Sequence, residues 1–230
     1  MGLLGFDPLA WLFVRPCPLC RRLPAALETD QSGAGLCASC RERLALPATA
    51  LTGRWPLPWW SSGPYSGMLR QTLLAQKCRR ADAAVVSALL QPLLTALRPL
   101  QLPRQGPQAV LLLPIPSWKR RPNPLPGLIA DQLARRLGLR RRDLLGRSHP
   151  VLGQHHLGRQ LRQANQEGSF QLRPEARARR PAPVLLIDDI LTTGSTLHHA
   201  ALCLEKNGWP VLGAACLART PSRRTGPRTP

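Results

Sequence analysis

Short apolar runs alternate with stretches of helical apolar spacing along most of this chain. The runs predict strands buried in a parallel sheet, and they cover residues 109–113, 184–187 and 211–217. Apolar residues recur at helical spacing over residues 68–78, 81–97, 128–137 and 197–204. This alternation of strands and helices predicts an α/β fold with a parallel sheet.

Residues 46–63 interrupt the pattern because they are rich in Pro and Trp. We expect an irregular linker there, between a small N-terminal module at 1–45 and the main α/β domain at 64–218. A basic tail at 219–230 has the composition of a disordered segment. Trp55, Trp59 and Trp60 have two interpretations. They either fill a seam between the modules, which is the commoner use of aromatics in such a linker, or stack on nucleobases.

The strand predicted at 184–187 stops at two adjacent acids, Asp188 and Asp189. A loop of small residues then precedes the next helix, and it consists of Thr192, Thr193, Gly194, Ser195 and Thr196. Backbone N–H groups, hydroxyls and the positive end of a helix dipole favour a phosphate in such a loop. Carboxylates accept hydrogen bonds from sugar hydroxyls, or place a Mg²⁺ ion through water. The segment predicts a phosphosugar site; the alternative is an ordinary strand followed by a capped helix.

Basic residues outnumber acidic ones by 32 to 12, which gives a formal net charge of +20 at pH 7. Such an excess favours polyanions, with nucleic acid first and phosphorylated metabolites second. Only three of the basic residues are lysines, and a coding bias towards arginine would produce the same excess, so both explanations stay open. No apolar run is long enough to span a bilayer. Residues 1–14 lack the features of a signal peptide, and we expect a cytoplasmic protein.

Four of the seven cysteines form two C-x-x-C pairs separated by sixteen residues: Cys17, Cys20, Cys37 and Cys40. This spacing predicts a closed four-thiolate zinc site, a zinc ribbon, with a structural role. A pair of disulfides is disfavoured by the absence of an export signal. A redox dithiol would leave the second pair unexplained.

A basic cluster follows the strand predicted at 109–113. Lys119, Arg120 and Arg121 come shortly after that strand ends, at the sheet edge where parallel α/β folds bind their ligands. We interpret them, together with Arg162, as candidate ligands of a pyrophosphate group. A solvated turn is the alternative for the cluster.

The segment from Asp188 to Thr196 resembles the signature of type I phosphoribosyltransferases for 5-phosphoribosyl-1-pyrophosphate (PRPP). The order of parts along the chain is similar to that of the ComF/GntX family: the four cysteines, Tyr65 and Gly67, Lys77, Pro114 to Pro116, then Gln154, Arg162, Asn165 and Phe170. The chain departs from the family's pattern at two places. Lys77-Cys78 replaces the family's Lys-Phe pair, and Arg121-Pro122-Asn123-Pro124 replaces the family's Arg-Gly-Phe-Asn segment.

The resemblance implies a phosphoribosyltransferase-type fold in which Asp188 and Asp189 hold the ribose hydroxyls and the loop at 192–196 holds the 5′-phosphate. It also implies Mg²⁺ bound with PRPP, and a link to natural competence through the handling of incoming single-stranded DNA, with proteins of the competence machinery among the partners.

Two classes of function stay open. An enzyme of nucleotide metabolism would transfer the pentosyl group of PRPP to a nitrogen nucleophile and release pyrophosphate, mainly by positioning and charge neutralisation. A non-catalytic protein would instead sense PRPP or a nucleotide, or bind the 5′-phosphate of single-stranded DNA. A structural adaptor with a relic pocket is a third alternative.

Overall fold

The computed structural model of the chain describes residues 16–23, 35–78, 81–117, 122–148 and 169–221. Several predictions fall on other residues and therefore lie outside the described part of the chain. They concern the N-terminal segment 1–15, the candidate ligands Lys119, Arg120, Arg121 and Arg162, and the tail from residue 222 onwards.

From residue 111 onwards the described residues alternate between strands and helices, as the apolar pattern predicts, except that three short strands between residues 140 and 172 have no described helix between them. The strands are β1 Leu51–Gly53, β2 Trp59–Ser61, β3 Leu111–Pro114, β4 Arg140–Arg141, β5 Leu145–Arg147, β6 Phe170–Leu172, β7 Val184–Leu191 and β8 Val211–Arg219. The helices are α1 Ala38–Leu44, α2 Gly67–Cys78, α3 Ala83–Leu89, α4 Gln91–Leu97, α5 Leu125–Leu137, α6 Pro174–Arg177 and α7 Ser195–Glu205. A short 3₁₀ helix, Arg98–Leu100, follows α4.

Six strands form one sheet in the order β1-β2-β8-β7-β3-β4, in which every pair is parallel except β1 with β2. Strands β5 and β6 form a separate antiparallel pair. The prediction of an α/β fold with a largely parallel sheet is therefore confirmed. Because β7 lies between β8 and β3, its carboxyl end opens onto the middle of one sheet edge.

The two faces of the sheet are covered by different helices, which explains the unbroken apolar run at the start of β7. Leu185 and Ile187 belong to a core cluster shared with α2 to α5. Val184 and Leu186 belong to a second cluster shared with α7. Since neighbouring residues of a strand point to opposite faces, burial on both faces requires every one of them to be apolar.

The prediction of an irregular linker at 46–63 is wrong, because β1 and β2 lie within it and β2 pairs in parallel with β8. Trp59 and Trp60 pack against the two core clusters, whereas Trp55 is 79% exposed. The boundary at 219 also differs, since Arg219 is the last residue of β8.

Two further boundaries differ from the apolar pattern. Strand β7 does not stop before the acids but continues through them to Leu191, because β8 extends beside it and pairs with Asp188 and Ile190. The helix predicted at 81–97 is two helices, bent by 50°. Pro92 lies in the first turn of the second helix, and a proline there ends the preceding helix because its nitrogen donates no hydrogen bond.

Among the described residues, no one helix has both the length and the apolarity needed to cross a membrane. The bent pair Ala83–Leu89 and Gln91–Leu100 meets that criterion only when its two parts are joined, on length and composition alone.

Candidate functional site

Asp189 is a buried carboxylate that one cation and one amide contact. Its Oδ2 lies 2.6 Å from Lys77 Nζ and accepts a hydrogen bond of 2.7 Å from Asn123 Nδ2. Lys77 belongs to the last turn of α2, and Asn123 accepts a hydrogen bond from the N–H of Leu125 at the start of α5. A charge that leaves water needs such partners, so these contacts fix Asp189 in one position between two helices.

Asp188, its neighbour, is half-buried at the wall of a cavity. It lines a cavity of about 290 Å³ together with Lys77, Arg147 and Thr196. One of its oxygens, Oδ1, accepts a hydrogen bond of 2.8 Å from the N–H of Asp189. The two acids predicted to act as a pair therefore differ in their surroundings: Asp188 lines the cavity, and Asp189 is paired with the protein.

Desolvation in the cleft and the negative charge of Asp189 raise the pKa of Asp188 to about 8. An aspartate in an unfolded chain has a pKa near 4, so the folded protein binds a proton that the unfolded chain releases between roughly pH 4 and pH 8. Folding stability contributed by Asp188 is therefore present at low pH and falls as the pH rises through that range.

We expect the variant Asp188→Asn to gain stability relative to the unchanged protein as the pH rises from 5 to 9, because the amide does not ionise. Urea unfolding of both proteins at several pH values measures the difference in the free energy of unfolding. A difference that stays constant over this range would contradict the assignment of a raised pKa to Asp188.

Arg147 is a site residue that the sequence did not reveal. Its Nε donates a hydrogen bond of 3.0 Å to the carbonyl of Pro116, and its guanidinium carbon lies 3.9 Å from the centre of the Phe170 ring. Burial lowers its pKa, and the charge of Asp188 opposes that effect. Contact with an aromatic face and a carbonyl holds the cation in place, on the wall of the cavity that contains Asp188.

Residues 192–196 connect β7 to α7, but only Thr192, Thr193 and Gly194 form the loop, because the helix begins at Ser195 and not at the predicted residue 197. Thr192 and Thr193 are exposed at the sheet edge, and Thr196, in the first turn of α7, reaches the cavity. Gly194 has a φ of +83°, and a Cβ there would overlap the ring of Pro56. Glycine is therefore required for the turn and for the close approach of the β1–β2 hairpin.

Arg219 holds the beginning of this loop in place. Its guanidinium donates a hydrogen bond of 3.1 Å to the carbonyl of Leu191 and another to the carbonyl of Thr192. The guanidinium carbon also lies 5.6 Å from the centre of the Trp59 ring. The end of β8 thus positions the loop through backbone groups, which the amino-acid pattern does not reveal.

A larger compartment of about 620 Å³ adjoins the cavity, since both are lined by Ile115 to Ser117 and by Pro122 and Asn123. Its polar wall contains Asp131 and Asp143, which both form ion pairs with Arg141, at 2.8 Å and 3.1 Å. The guanidinium of Arg141 also donates to the carbonyl of Gly127. The two spaces form one cleft beside the carboxyl end of β3.

The four predicted cysteines converge, with their sulfur atoms within 4.8 Å of one another. Such a group could hold a metal ion. Although burial raises the pKa of the Cys17 thiol, hydrogen bonds from the N–H groups of Cys20, Cys37 and Leu19 outweigh this and lower the pKa to about 6. Burial and hydrogen bonds with the other thiols raise the pKa of Cys40 above its usual range. N–H groups aimed at a sulfur favour the thiolate, which is the form that binds metal.

Comparison with known proteins gives relatives over almost the whole chain. The DNA utilization protein YhgH of Salmonella typhi is 31% identical over 231 residues, which cover 89% of this chain and 96% of that protein. The protein of the same name from Escherichia coli strain K12 is 29% identical over 246 residues, which cover 95% of this chain and all of that protein. No family model matches the chain.

Two solved structures align with parts of the fold. A crystal structure of adenine phosphoribosyltransferase has a TM-score of 0.38 and 17% identity, over 60% of this chain and 71% of the other. The adenine phosphoribosyl transferase of Trypanosoma brucei, in complex with AMP, pyrophosphate and ribose-5-phosphate, has a TM-score of 0.41 and 13% identity. That alignment covers 79% of this chain and 96% of the other.

Proposed function

The chain belongs to the family of the DNA utilization protein YhgH, and from this premise we propose that its cleft binds a phosphorylated pentose, PRPP or a related nucleotide. One observation carries the proposal: Asp188, Thr196, Lys77 and Arg147 line a single cavity of about 290 Å³ at the carboxyl end of β7. An acid for sugar hydroxyls, a helix start for a phosphate and two cations for further phosphates are the groups that such a ligand requires.

In this proposal the two aspartates have different roles. Asp188 accepts hydrogen bonds from the ribose hydroxyls because it faces the cavity. Asp189 positions Lys77 and Asn123, with which it is paired at 2.6 Å and 2.7 Å. The loop of Thr192, Thr193, Gly194, Ser195 and Thr196 holds the 5′-phosphate with its N–H groups and hydroxyls.

Lys77 and Arg147 supply the positive charge for the second phosphate group of the ligand, pyrophosphate in the case of PRPP. Both line the cavity with Asp188, and the guanidinium of Arg147 is held in place by Phe170 and Pro116. Lys119, Arg120, Arg121 and Arg162 remain candidates for the same charge.

Mg²⁺ enters with PRPP in this proposal and neutralises its phosphates. Asp188 shares its cavity wall with two cations, and its pKa is raised. Both features disfavour direct ligation of a divalent cation and favour hydrogen bonds from sugar hydroxyls to Asp188. Asp188 would therefore contact the ion through water.

Pentosyl transfer from PRPP to a nitrogen nucleophile is the second candidate function. The adjoining compartment of about 620 Å³ favours it, because an acceptor needs space beside the ribose as well as correct positioning. Release of pyrophosphate from PRPP in the presence of candidate bases tests this activity. If PRPP binds and no acceptor yields pyrophosphate, the protein is a sensor of PRPP or a nucleotide.

We propose that the four cysteines hold a structural zinc ion. In a tetrahedral site with Zn–S distances of about 2.3 Å, neighbouring sulfurs lie about 3.8 Å apart. Cys20 Sγ and Cys37 Sγ lie 3.7 Å apart, so little movement is needed to close the site. All four ligands are thiolates, which leaves no open position for a substrate.

The proposed setting is DNA utilization, with single-stranded DNA as a partner, a cytoplasmic location and a link to natural competence. The premise is the name that the relatives carry, and the net charge of +20 supports it because it favours a polyanion. A metal-bound element within residues 1–45, followed by the binding domain, is part of the same proposal.

The test of the proposed function is the binding of PRPP to the variant Asp188→Asn. At pH 9, where Asp188 is ionised, we expect the affinity to fall by roughly tenfold or more, since hydrogen bonds to a charged group contribute about 1.5–3 kcal/mol. Isothermal titration calorimetry with PRPP and Mg²⁺ measures the dissociation constant.

The matched control is Glu205→Gln, which removes an exposed carboxylate at the other end of α7 and should leave the affinity unchanged. Binding of PRPP to Asp188→Asn as tightly as to the control would overturn the role given to Asp188.

A further inference from the structure

The hairpin of β1 and β2 carries an exposed tryptophan beside a groove. Trp55 is 79% exposed, in contrast to Trp59 and Trp60, which pack partly into the core. The groove has a volume of about 760 Å³ and is lined by Thr52, Gly53, Arg54, Pro58, Trp59 and Trp60. The exposed indole of Trp55 and the groove on the same hairpin give this part of the surface an apolar, aromatic character, and together we call them the aromatic patch.

This hairpin lies directly against the proposed phosphate loop. Pro56, the residue after Trp55, packs on Gly194 so closely that a Cβ there would overlap its ring. Trp59 is also connected to the loop, because the guanidinium of Arg219 lies over its ring and donates to the carbonyl of Thr192. The hairpin that carries the aromatic patch is therefore in direct contact with the loop.

The charge of the patch favours an anionic partner. The groove lining contains one cation, the exposed Arg54, and no acid, and the whole chain has a net charge of +20. Aromatic rings combined with a cation bind single-stranded nucleic acid, because the rings stack on unpaired bases and the cation contacts the backbone. Bases in a duplex already stack on their neighbours and present no free face to an indole.

We propose that Trp55 is a stacking platform for single-stranded DNA, with Arg54 and the groove lined by Trp59 and Trp60 beside it. The inference rests on the DNA-linked part of the proposed function. A strand on this surface places a base on Trp55 and a phosphate at Arg54, and continues towards the loop at 192–196. The DNA contact is thereby assigned to the β1–β2 hairpin, next to the loop at 192–196 and outside the cavity that contains Asp188.

The test is the binding of a labelled 15-nucleotide oligothymidylate, measured by fluorescence anisotropy without PRPP. We expect Trp55→Ala to weaken binding by roughly tenfold, in the range measured for the loss of one base–aromatic stack. Trp55→Phe, which keeps a ring, should retain most of the affinity. Arg54→Ala should reduce the dependence of the affinity on salt by about one phosphate contact.

Two exposed residues away from the hairpin serve as matched controls. Leu100→Ala removes an apolar side chain that is 46% exposed. Arg180→Ala removes an exposed arginine before the amino end of β7, at the opposite sheet edge from the loop. Both should bind oligothymidylate as the unchanged protein does, and a loss in either control as large as in Trp55→Ala would contradict a specific surface.

An oligonucleotide of the same length without bases separates stacking from charge. Trp55→Ala and the unchanged protein should bind it equally, because only the phosphates remain. Equal binding of both proteins to oligothymidylate, or an equal loss with and without bases, would overturn the inference. Trp55→Ala should still bind PRPP, so the loss of PRPP binding in Asp188→Asn and the loss of DNA binding in Trp55→Ala test the two proposals separately.

Discussion

Removal of the proposed zinc ion by a chelator should lower the melting temperature of the whole protein and reduce its free energy of unfolding by about 5 kcal/mol or more, since structural zinc sites contribute strongly to folding. The effect should extend beyond the metal site because Cys17 and Cys40 lie in the same core cluster as Leu69 and Leu73 of α2. Elemental analysis should give one zinc per chain, and thermal unfolding before and after chelation measures the loss.

Single cysteine variants make this prediction specific. Cys40→Ser removes a buried ligand of the proposed site and should lower both the zinc content and the melting temperature. Cys203→Ser, the control, alters a half-buried cysteine in α7 that is outside the group of four. Absence of zinc from the protein, or equal stability of Cys40→Ser and Cys203→Ser, would contradict the proposed zinc site.

The variant Lys77→Met should lower the free energy of unfolding by about 2–4 kcal/mol, because it leaves the carboxylate of Asp189 buried without its cation. The side chain of Asp189 is only 7% exposed, and Asn123 alone does not neutralise its charge. We place the value towards the lower end of the range for buried pairs because Lys77 itself is 31% exposed. Denaturation with urea measures the change.

Another ion pair of this protein provides the matched control. Arg21 and Asp82 are also 2.6 Å apart, but the side chain of Arg21 is 67% exposed, so Arg21→Met should cost less than about 1 kcal/mol. Adding Asp189→Asn to Lys77→Met should restore part of the lost stability, because the charge is then removed. If the two single variants lose the same amount, the burial of Asp189 has no energetic consequence.

The sequence predicts those parts of the fold and site in which neighbours along the chain carry the signal. The apolar run at 184–187 indicates a strand covered on both faces, and β7 is such a strand. Gly138 indicates the end of α5, where it adopts a φ of +69°. The spacing of the cysteines indicates a four-ligand cluster, which the structure brings together. Each of these features depends on a local period or spacing, which a chain retains whatever its tertiary contacts.

Other features depend on contacts between distant segments. No local property of residues 46–63 reveals that Trp59 to Ser61 pair with β8, since the prolines disfavour a regular strand and the pairing partner is distant in the sequence. Likewise, Arg147 is one of many arginines in the sequence, and its selection as a site residue follows from the position of β5 beside Pro116 and Asp188.

By itself, the sequence determined that this protein has an α/β fold with a largely parallel sheet, a cluster of four cysteines and two acids ahead of a loop of small residues. Each of these features depends on residues that are consecutive or regularly spaced along the chain. Only the tertiary structure decided that Asp189 is paired with Lys77 and Asn123 while Asp188 faces the cavity. The two aspartates are adjacent and chemically identical, so the difference between them arises entirely from the helices that fold against one of them and leave the other open.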